Sequence, residues 1–251
     1  MKRIICLAAA LVTIVGLAAA PASAAEATAA VDFASAYVWR GLTFNDGFVI
    51  QPSIDVAGKN GFGINVWGNY DVNDYDDQLT SNDFSEIDLT VSYGTSFGKL
   101  DVGAGVISYL FPGAGSDSET AEVYLSLGYP IVGGLSAGMV IYYDFEALDE
   151  LSYATLSLTY AYEITDKIGL EAGGSVGYAG EDFSAAYGGA DGGLWDYTLS
   201  LSVGFTITDA WSASAGVTHV GALDDDNLID GDTAGTLDTT TYVTVGVAYA
   251  F

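Results

Sequence analysis

From residue 31 onward the chain alternates between apolar and polar positions in short segments separated by turn signals. Period-2 alternation sends successive side chains to opposite faces of a strand. In the last segment Val243, Val245, Val247, Tyr249 and Phe251 share one face, and Tyr242, Thr244, Gly246, Ala248 and Ala250 share the other. Residues 197–207 repeat the pattern, with Tyr197, Leu199, Leu201, Val203, Phe205 and Ile207 opposed to Thr198, Ser200, Ser202, Gly204 and Thr206. The pattern predicts twelve strands, near 31–43, 48–57, 62–73, 86–97, 99–110, 119–131, 135–145, 152–164, 168–179, 195–207, 211–222 and 239–251.

The connections alternate in length. Five are tight: Lys59-Asn60-Gly61, Gly98-Lys99, Val132-Gly133-Gly134, Thr165-Asp166-Lys167 and Thr208-Asp209-Ala210. The other six, near 44–47, 74–85, 111–118, 146–151, 180–194 and 223–238, are mostly longer and polar. Short turns at one end, longer loops at the other and an even strand count are the pattern of a bacterial outer-membrane barrel. The expected fold is therefore all-β, a single antiparallel up-and-down transmembrane β-barrel of about twelve strands. A soluble β-sandwich also alternates, but it does not oppose nearly every apolar face with Gly, Ser, Thr, Asp and Asn. Aromatic residues gather near strand ends, as interfacial girdles require. Phe62, Phe97, Tyr129, Tyr162, Phe205, Trp211 and Tyr249 lie on the short-turn side, and Trp39, Phe48, Tyr70, Tyr143, Phe145, Tyr178 and Tyr197 lie nearer the loops.

Charge sharpens this picture. Beyond residue 24, four basic side chains accompany 33 acidic ones. Such a chain is a poor partner for nucleic acid, whose phosphates need Lys and Arg. Asp32, Asp55, Asp71, Asp88, Asp101, Glu122, Asp144, Glu163, Glu171 and Asp196 all oppose the apolar set, as lumen residues should. Lys59, Lys99 and Lys167 lie at the short turns, which leaves Arg40 as the one cation of the four outside a predicted turn.

Residues 1–24 read as a cleaved signal peptide: Lys2 and Arg3, an apolar run to Ala20, then Ala22-Ser23-Ala24. The barrel domain is expected over 25–251. Cys6 lies inside the apolar run, so the expected mature chain has no cysteine and no disulfide. Past residue 24 no stretch offers the roughly 18 consecutive apolar residues of a membrane helix.

Ala34-Ser35-Ala36-Tyr37-Val38-Trp39-Arg40-Gly41-Leu42-Thr43, then Asp46-Gly47, Gln51-Pro52-Ser53-Ile54-Asp55 and Gly63-Ile64-Asn65-Val66-Trp67-Gly68, resembles the TorF-type porin family. The likeness covers about residues 34–70. It implies an aromatic-Arg-Gly strand, a turn with Asp-Gly, a Pro-containing strand and a strand that carries Trp-Gly. Ala36 stands where that family often has Asp. The C-terminal Phe251 resembles the assembly signal of outer-membrane barrels.

Parity on the first predicted strand points Tyr37 and Trp39 outward and Arg40 inward. A tight turn near Asn45-Asp46-Gly47 would set Arg40 against Gln51 or Ser53. A three-residue turn with Gly61 in the left-handed position pairs Asp55 with Asn65, Ser53 with Trp67, and Gln51 with Asn69. The candidate pore lining is Arg40, Gln51, Ser53, Asp55, Asn65, Trp67, Asn69 and Asp71, joined by Asp88, Glu122, Tyr124, Tyr142 and Asp144. Later strands present Gly169, Gly173, Ser175, Gly177, Ser200, Gly204, Gly246 and Ala248, so one wall is crowded and the other open. Arg40 reads as a brace for the acidic wall, or as a constriction that a solute meets beside Trp67, Tyr124 and Tyr142.

The resulting expectation is an outer-membrane, porin-like channel for passive diffusion of small solutes. An acidic lumen favours cations. The alternative is a non-conducting barrel with a structural or surface-interaction role, and loops 180–194 and 223–238 are long enough to fold inward. Expected partners are outer-membrane lipid and lipopolysaccharide, with small solutes or cations, and a monomer is the expected state. Enzymatic activity is not expected. The only histidine, His219, faces outward beside Tyr197 and Thr241, with no serine to activate. Asp74-Tyr75-Asp76-Asp77, Asp224-Asp225-Asp226-Asn227 and Asp230-Gly231-Asp232 lack the spacing of a calcium loop, so neither metal nor cofactor is expected.

Overall fold

Alternation over ten or so residues produces strands here because each strand can hydrogen-bond on both sides while its two faces meet different surroundings. A computed structural model describes residues 25–73, 75, 77–113, 119–146, 151–189, 191–224 and 233–251. The expected signal segment 1–24 lies outside these residues, as do Asp74, Asp76, Asp225, Asp226, Asn227, Asp230 and Asp232 of the acidic loops.

In chain order the elements are β1 (Glu26–Ala34), β2 (Tyr37–Trp39), β3 (Leu42–Asn45), β4 (Val49–Ala57), β5 (Phe62–Asp71), β6 (Asp83–Phe97), β7 (Leu100–Leu110) and β8 (Thr120–Val132). They continue with β9 (Leu135–Asp144), β10 (Ser152–Glu163), β11 (Ile168–Ala179), α1 (Glu181–Ala186), β12 (Gly193–Thr206), β13 (Trp211–Ala222), β14 (Thr236–Leu237) and β15 (Thr240–Ala250). Twelve of these strands close a barrel in the ring order β1-β15-β13-β12-β11-β10-β9-β8-β7-β6-β5-β4, with β1 pairing antiparallel to both β15 and β4. Closure leaves no edge and pairs the wall backbone internally, which a lipid-embedded sheet must do. It also rules out a sandwich.

Most outward positions are apolar. Leu156, Leu158, Leu199, Leu201, Val243 and Val245 are each more than half exposed. An apolar belt of this extent is unsuited to water. No helix among the described residues is long and apolar enough to cross a membrane. Aromatic side chains mark both rims: Trp211 packs on Tyr249 at 4.9 Å near the short turns, and Phe33 stacks on Phe48 at 6.2 Å near the loops.

Eleven predicted strands appear within a few residues of their expected ends, and those at 168–179 and 211–222 keep the same ends. The first predicted strand, 31–43, is corrected. The wall strand β1 begins earlier, at Glu26, and stops at Ala34. Ser35 makes the last contacts with the wall: its N–H donates to the Val243 carbonyl and its hydroxyl accepts from the Val243 N–H, both at 3.0 Å. The chain then leaves the wall, and β3 pairs with β2 on one side and β14 on the other in a separate three-stranded sheet. Asp32 therefore opposes Gln51 and Ala30 opposes Ser53, so neither expected pairing of Arg40 forms. Tyr37 and Trp39 are not lipid-facing, and the short 44–47 connection is part of a much longer inserted segment, 35–48. The next register is as expected, with Asp55 opposite Asn65 and Ser53 opposite Trp67.

The two faces of the wall respond differently to charge. Leu201→Arg should destabilise the barrel by about 2–4 kcal/mol in urea unfolding from lipid vesicles, whereas the lumen change Ser202→Arg should cost clearly less.

Candidate functional site

The inserted hairpin begins with a turn that constrains its tip. Trp39 pairs with Leu42, leaving Arg40-Gly41 as a two-residue connection with φ of 50° and 82°. Gly133-Gly134, between β8 and β9, has almost the same pair of angles, 56° and 89°. Both are left-handed at the two central positions, the turn that suits strand twist and favours Asn-Gly or Gly-Gly. Arg40 thus occupies a place where glycine serves elsewhere in this chain. An L-residue there carries a backbone cost of about 1 kcal/mol.

The Arg40 side chain meets partners that offset that cost. Its two terminal nitrogens donate to the two carboxylate oxygens of Glu122 at 2.7 and 2.6 Å. The side chains of the pair are only 7% and 5% exposed. Burial is the largest single influence and discourages the charge, but Glu122 together with the Tyr109 and Tyr142 hydroxyls outweighs it and raises the guanidinium pKa above its ordinary value. The Tyr109 hydroxyl donates to the same carboxylate at 2.8 Å. The guanidinium lies 4.1 Å from the ring centroids of both Trp39 and Tyr142, 4.9 Å from Tyr153 and 5.8 Å from Phe183. The Trp195 indole N–H donates to the Arg40 carbonyl at 3.0 Å.

These contacts place the hairpin across the lumen. It leaves the wall between β1 and β4, whereas Glu122 is on β8 and Tyr153 on β10, which stands opposite that pair in the ring. The described parts of both long loops expected to be able to fold inward do so. The first supplies α1, whose Phe183 is buried against Tyr153 and Trp195. The second supplies β14, whose Leu237 is buried opposite Leu42. With Ile107, Tyr109, Val140 and Tyr142 from the wall, these residues form a continuous apolar core at the loop end of the barrel.

Polar ladders hold the hairpin's other side. The Asn45 amide donates to Asp71 at 2.7 Å, and its side-chain oxygen accepts from the Gly47 N–H at 2.7 Å, an Asx turn that directs the chain into β4. Gln51 donates to Asn69 at 3.0 Å and Asn69 donates to Asp71 at 2.9 Å. The Tyr37 hydroxyl donates to Glu86 at 2.7 Å, and its ring meets Trp67 at 5.6 Å. Tyr153 donates to Asp196 at 2.6 Å. A β-bulge there sets Trp195 and Asp196 against Gly177, so both point inward and are buried.

The predicted lining residues fall into three places. Arg40, Glu122, Tyr124 and Tyr142 meet at the hairpin tip, with Tyr124 5.9 Å from Tyr142. Gln51, Asn69, Asp71 and Trp67 support the hairpin's flank. Asp55 and Asn65 bond to each other at 2.8 Å, lower on the wall beside Ser53. Asp88 sits opposite Trp67 and Tyr109 with one oxygen buried and unpartnered, and Asp144 accepts from Thr120 at 2.6 Å. The sequence reading missed Asn45, Glu86, Tyr109, Tyr153, Phe183, Trp195 and Asp196 as members of this cluster. Phe183 and Trp195 carried a signal, as large apolar residues in or beside a polar loop. His219 lies where expected, bonded to Tyr197 at 3.2 Å and Thr241 at 2.8 Å.

Beneath the plug, in the half nearer the short turns, lies a cavity of about 400 Å³. Its lining is rich in Gly, Ser and Thr, including Gly173, Ser175, Ser200, Ser202 and Ser214, and its charged members are Asp101 and Glu171.

A family model described as a bacterial protein of unknown function, Gcw_chp, matches residues 18–249. The chain belongs to the Gcw_chp family. No curated protein matches it in sequence. Solved structures similar to this Gcw_chp barrel include the KdgM porin, at 15% identity and TM-score 0.57 over 89% of this chain and 99% of that one. The NanC porin follows at 12% identity and TM-score 0.54, covering 90% and 99%. An outer membrane channel from Pseudomonas putida F1 has 9% identity and TM-score 0.53, covering 92% and 97%. At these identities the likeness establishes the fold, a twelve-stranded closed barrel of the kind seen in porins.

A Cβ on Gly177 would overlap the Asp196 carboxylate and the Tyr153 hydroxyl, whereas one on Gly174 would have no contact nearer than 3.5 Å. Gly177→Ala should therefore lower stability to urea by about 1–3 kcal/mol, with Gly174→Ala close to wild type.

Proposed function

We propose that this chain is an outer-membrane channel for small solutes, closed in its resting form by its own first loop. The observation that carries this reading is the hairpin inside the lumen, tipped by Arg40 and bound to Glu122, above a cavity rich in Gly, Ser and Thr. A barrel meant only to fill itself with side chains has no use for a Gly- and Ser-lined space. The N-terminal resemblance to TorF-type porins and the porin-like fold support the same reading. Residues 1–24 would direct export. The long loops would face outward and the short turns with Lys59, Lys99 and Lys167 the periplasm. The apolar belt would contact lipid and, on its outer rim, lipopolysaccharide.

Charge supports a preference for cations. Among its described residues the cavity lining has two carboxylates and no lysine or arginine. The KdgM porin has been solved with oligogalacturonate, a polyanion. The acidic lining here disfavours such a solute and suits cationic or neutral ones. The plug also favours a second reading, a permanently closed barrel that acts through its surface loops.

Planar-bilayer recording separates the two. Wild type should open rarely, Arg40→Ala should open at least about tenfold more often, and the reversal potential in a salt gradient should show cation preference. A silent Arg40→Ala barrel, folded by its heat-dependent gel mobility, would support the closed barrel. Anion preference would contradict the charge argument.

A further inference from the structure

The surroundings of Arg40 have the form of a receptor. A carboxylate offers both oxygens to a planar cation, a tyrosine hydroxyl fixes that carboxylate, and aromatic rings surround the cation. This combination recognises a guanidinium group: the fork matches the carboxylate and the faces of the rings attract its charge. Most of the parts do not belong to the hairpin. Glu122, Tyr109, Tyr142 and Tyr153 stand on wall strands, and Phe183 stands on α1. Only Trp39 accompanies Arg40. Withdrawal of the hairpin would leave the carboxylate and three of the four rings in place.

The occupant is also held in an unfavourable way. Arg40 takes the left-handed backbone that Gly133 takes at the equivalent turn position. The cage is thus filled by a residue whose backbone works against it, and a free ligand would not carry that cost. We infer that the Glu122 cage is a binding site for the guanidinium group of an incoming solute, and that Arg40 is its built-in occupant in the closed barrel. A solute that takes over the cage releases the hairpin, because it binds the withdrawn form and shifts the population toward it. The inference rests on the closed-channel reading and adds to it the class of solute that opens the channel. If Arg40 were only a brace, free guanidinium would not displace it from the cage of the wild-type barrel.

Calorimetry on the purified full-length barrel tests this with ethylguanidinium, which reproduces the end of the arginine side chain, and ethylammonium as the matched control. The test protein is Arg40→Gly, whose turn would match Gly133-Gly134. Ethylguanidinium should bind it at least about tenfold more tightly than ethylammonium does, and at least about tenfold more tightly than it binds wild type, where Arg40 competes. Adding Glu122→Gln should abolish the difference between the two cations. A folded Arg40→Gly barrel that binds neither cation, or both equally, would overturn the inference. Should that variant fail to fold, wild type serves: ethylguanidinium, and not ethylammonium, should make tryptophan fluorescence more accessible to iodide, and no difference between them overturns the inference. A guanidinium can come from a small solute or from a peptide, so a blocked Gly-Arg-Gly tripeptide is titrated alongside; tighter binding of the tripeptide assigns the site to peptides, and tighter ethylguanidinium assigns it to small solutes. Calorimetry reads binding alone, so a barrel that binds guanidinium yet never conducts would count against the channel reading and leave this site standing.

Discussion

The Arg40 guanidinium and the Glu122 carboxylate meet through two short hydrogen bonds with almost no solvent contact. Desolvating both groups consumes most of the attraction between them, so such a pair contributes little net stability compared with apolar side chains of the same size. Its strength lies in location. Either charge left alone in this apolar core is costly, by about 3–5 kcal/mol when one partner of a buried pair is removed. The hairpin therefore has one position in the lumen where its tip is tolerated. Leu42, Trp39 and Phe44 then find Phe183, Tyr187 and Leu237, and the core of the loop end assembles around that fixed point.

The wall does not depend on the plug in the same way. Its strands are joined by continuous ladders, and its outward faces are predominantly apolar. The plug depends on the wall for nearly every polar partner: Glu86, Asp71 and Glu122 receive Tyr37, Asn45 and Arg40. This one-sided dependence is what a movable element inside a rigid frame requires. It also explains the inward acids. Several of them are not there to line a pore. They are acceptors waiting for donors on the inserted segment.

The wall was legible in the sequence because alternation and turn chemistry agree strand after strand, from Phe62 to Ala250. Residues 31–43 were not, because the same alternation fits a wall strand and a plug strand equally well. What separates them is tertiary. Ser35 ends the pairing with β15, and only then does the alternation of 37–45 serve an interior sheet. Arg40-Gly41 hid its turn, since hairpin turns of this type are recognised by Asn-Gly or Gly-Gly and an arginine is unusual at the first central position. The inward parity given to Arg40 pointed to the correct compartment for the wrong reason. Its partner, 82 residues away, could not be read from neighbouring strands. Asp55 with Asn65 and Gln51 with Asn69 could be, because one hairpin fixes both pairs.

Arg40 and Glu122 act as a pair that locates the plug. A double-mutant cycle tests this most directly: wild type, Arg40→Ala, Glu122→Ala and the double variant, unfolded in urea from phospholipid vesicles and followed by tryptophan fluorescence. The account predicts a coupling energy of at least about 2 kcal/mol, with the double variant more stable than the sum of the single losses implies. Single losses that add to within about 0.5 kcal/mol would contradict it, and the hairpin would then be held by its apolar contacts alone.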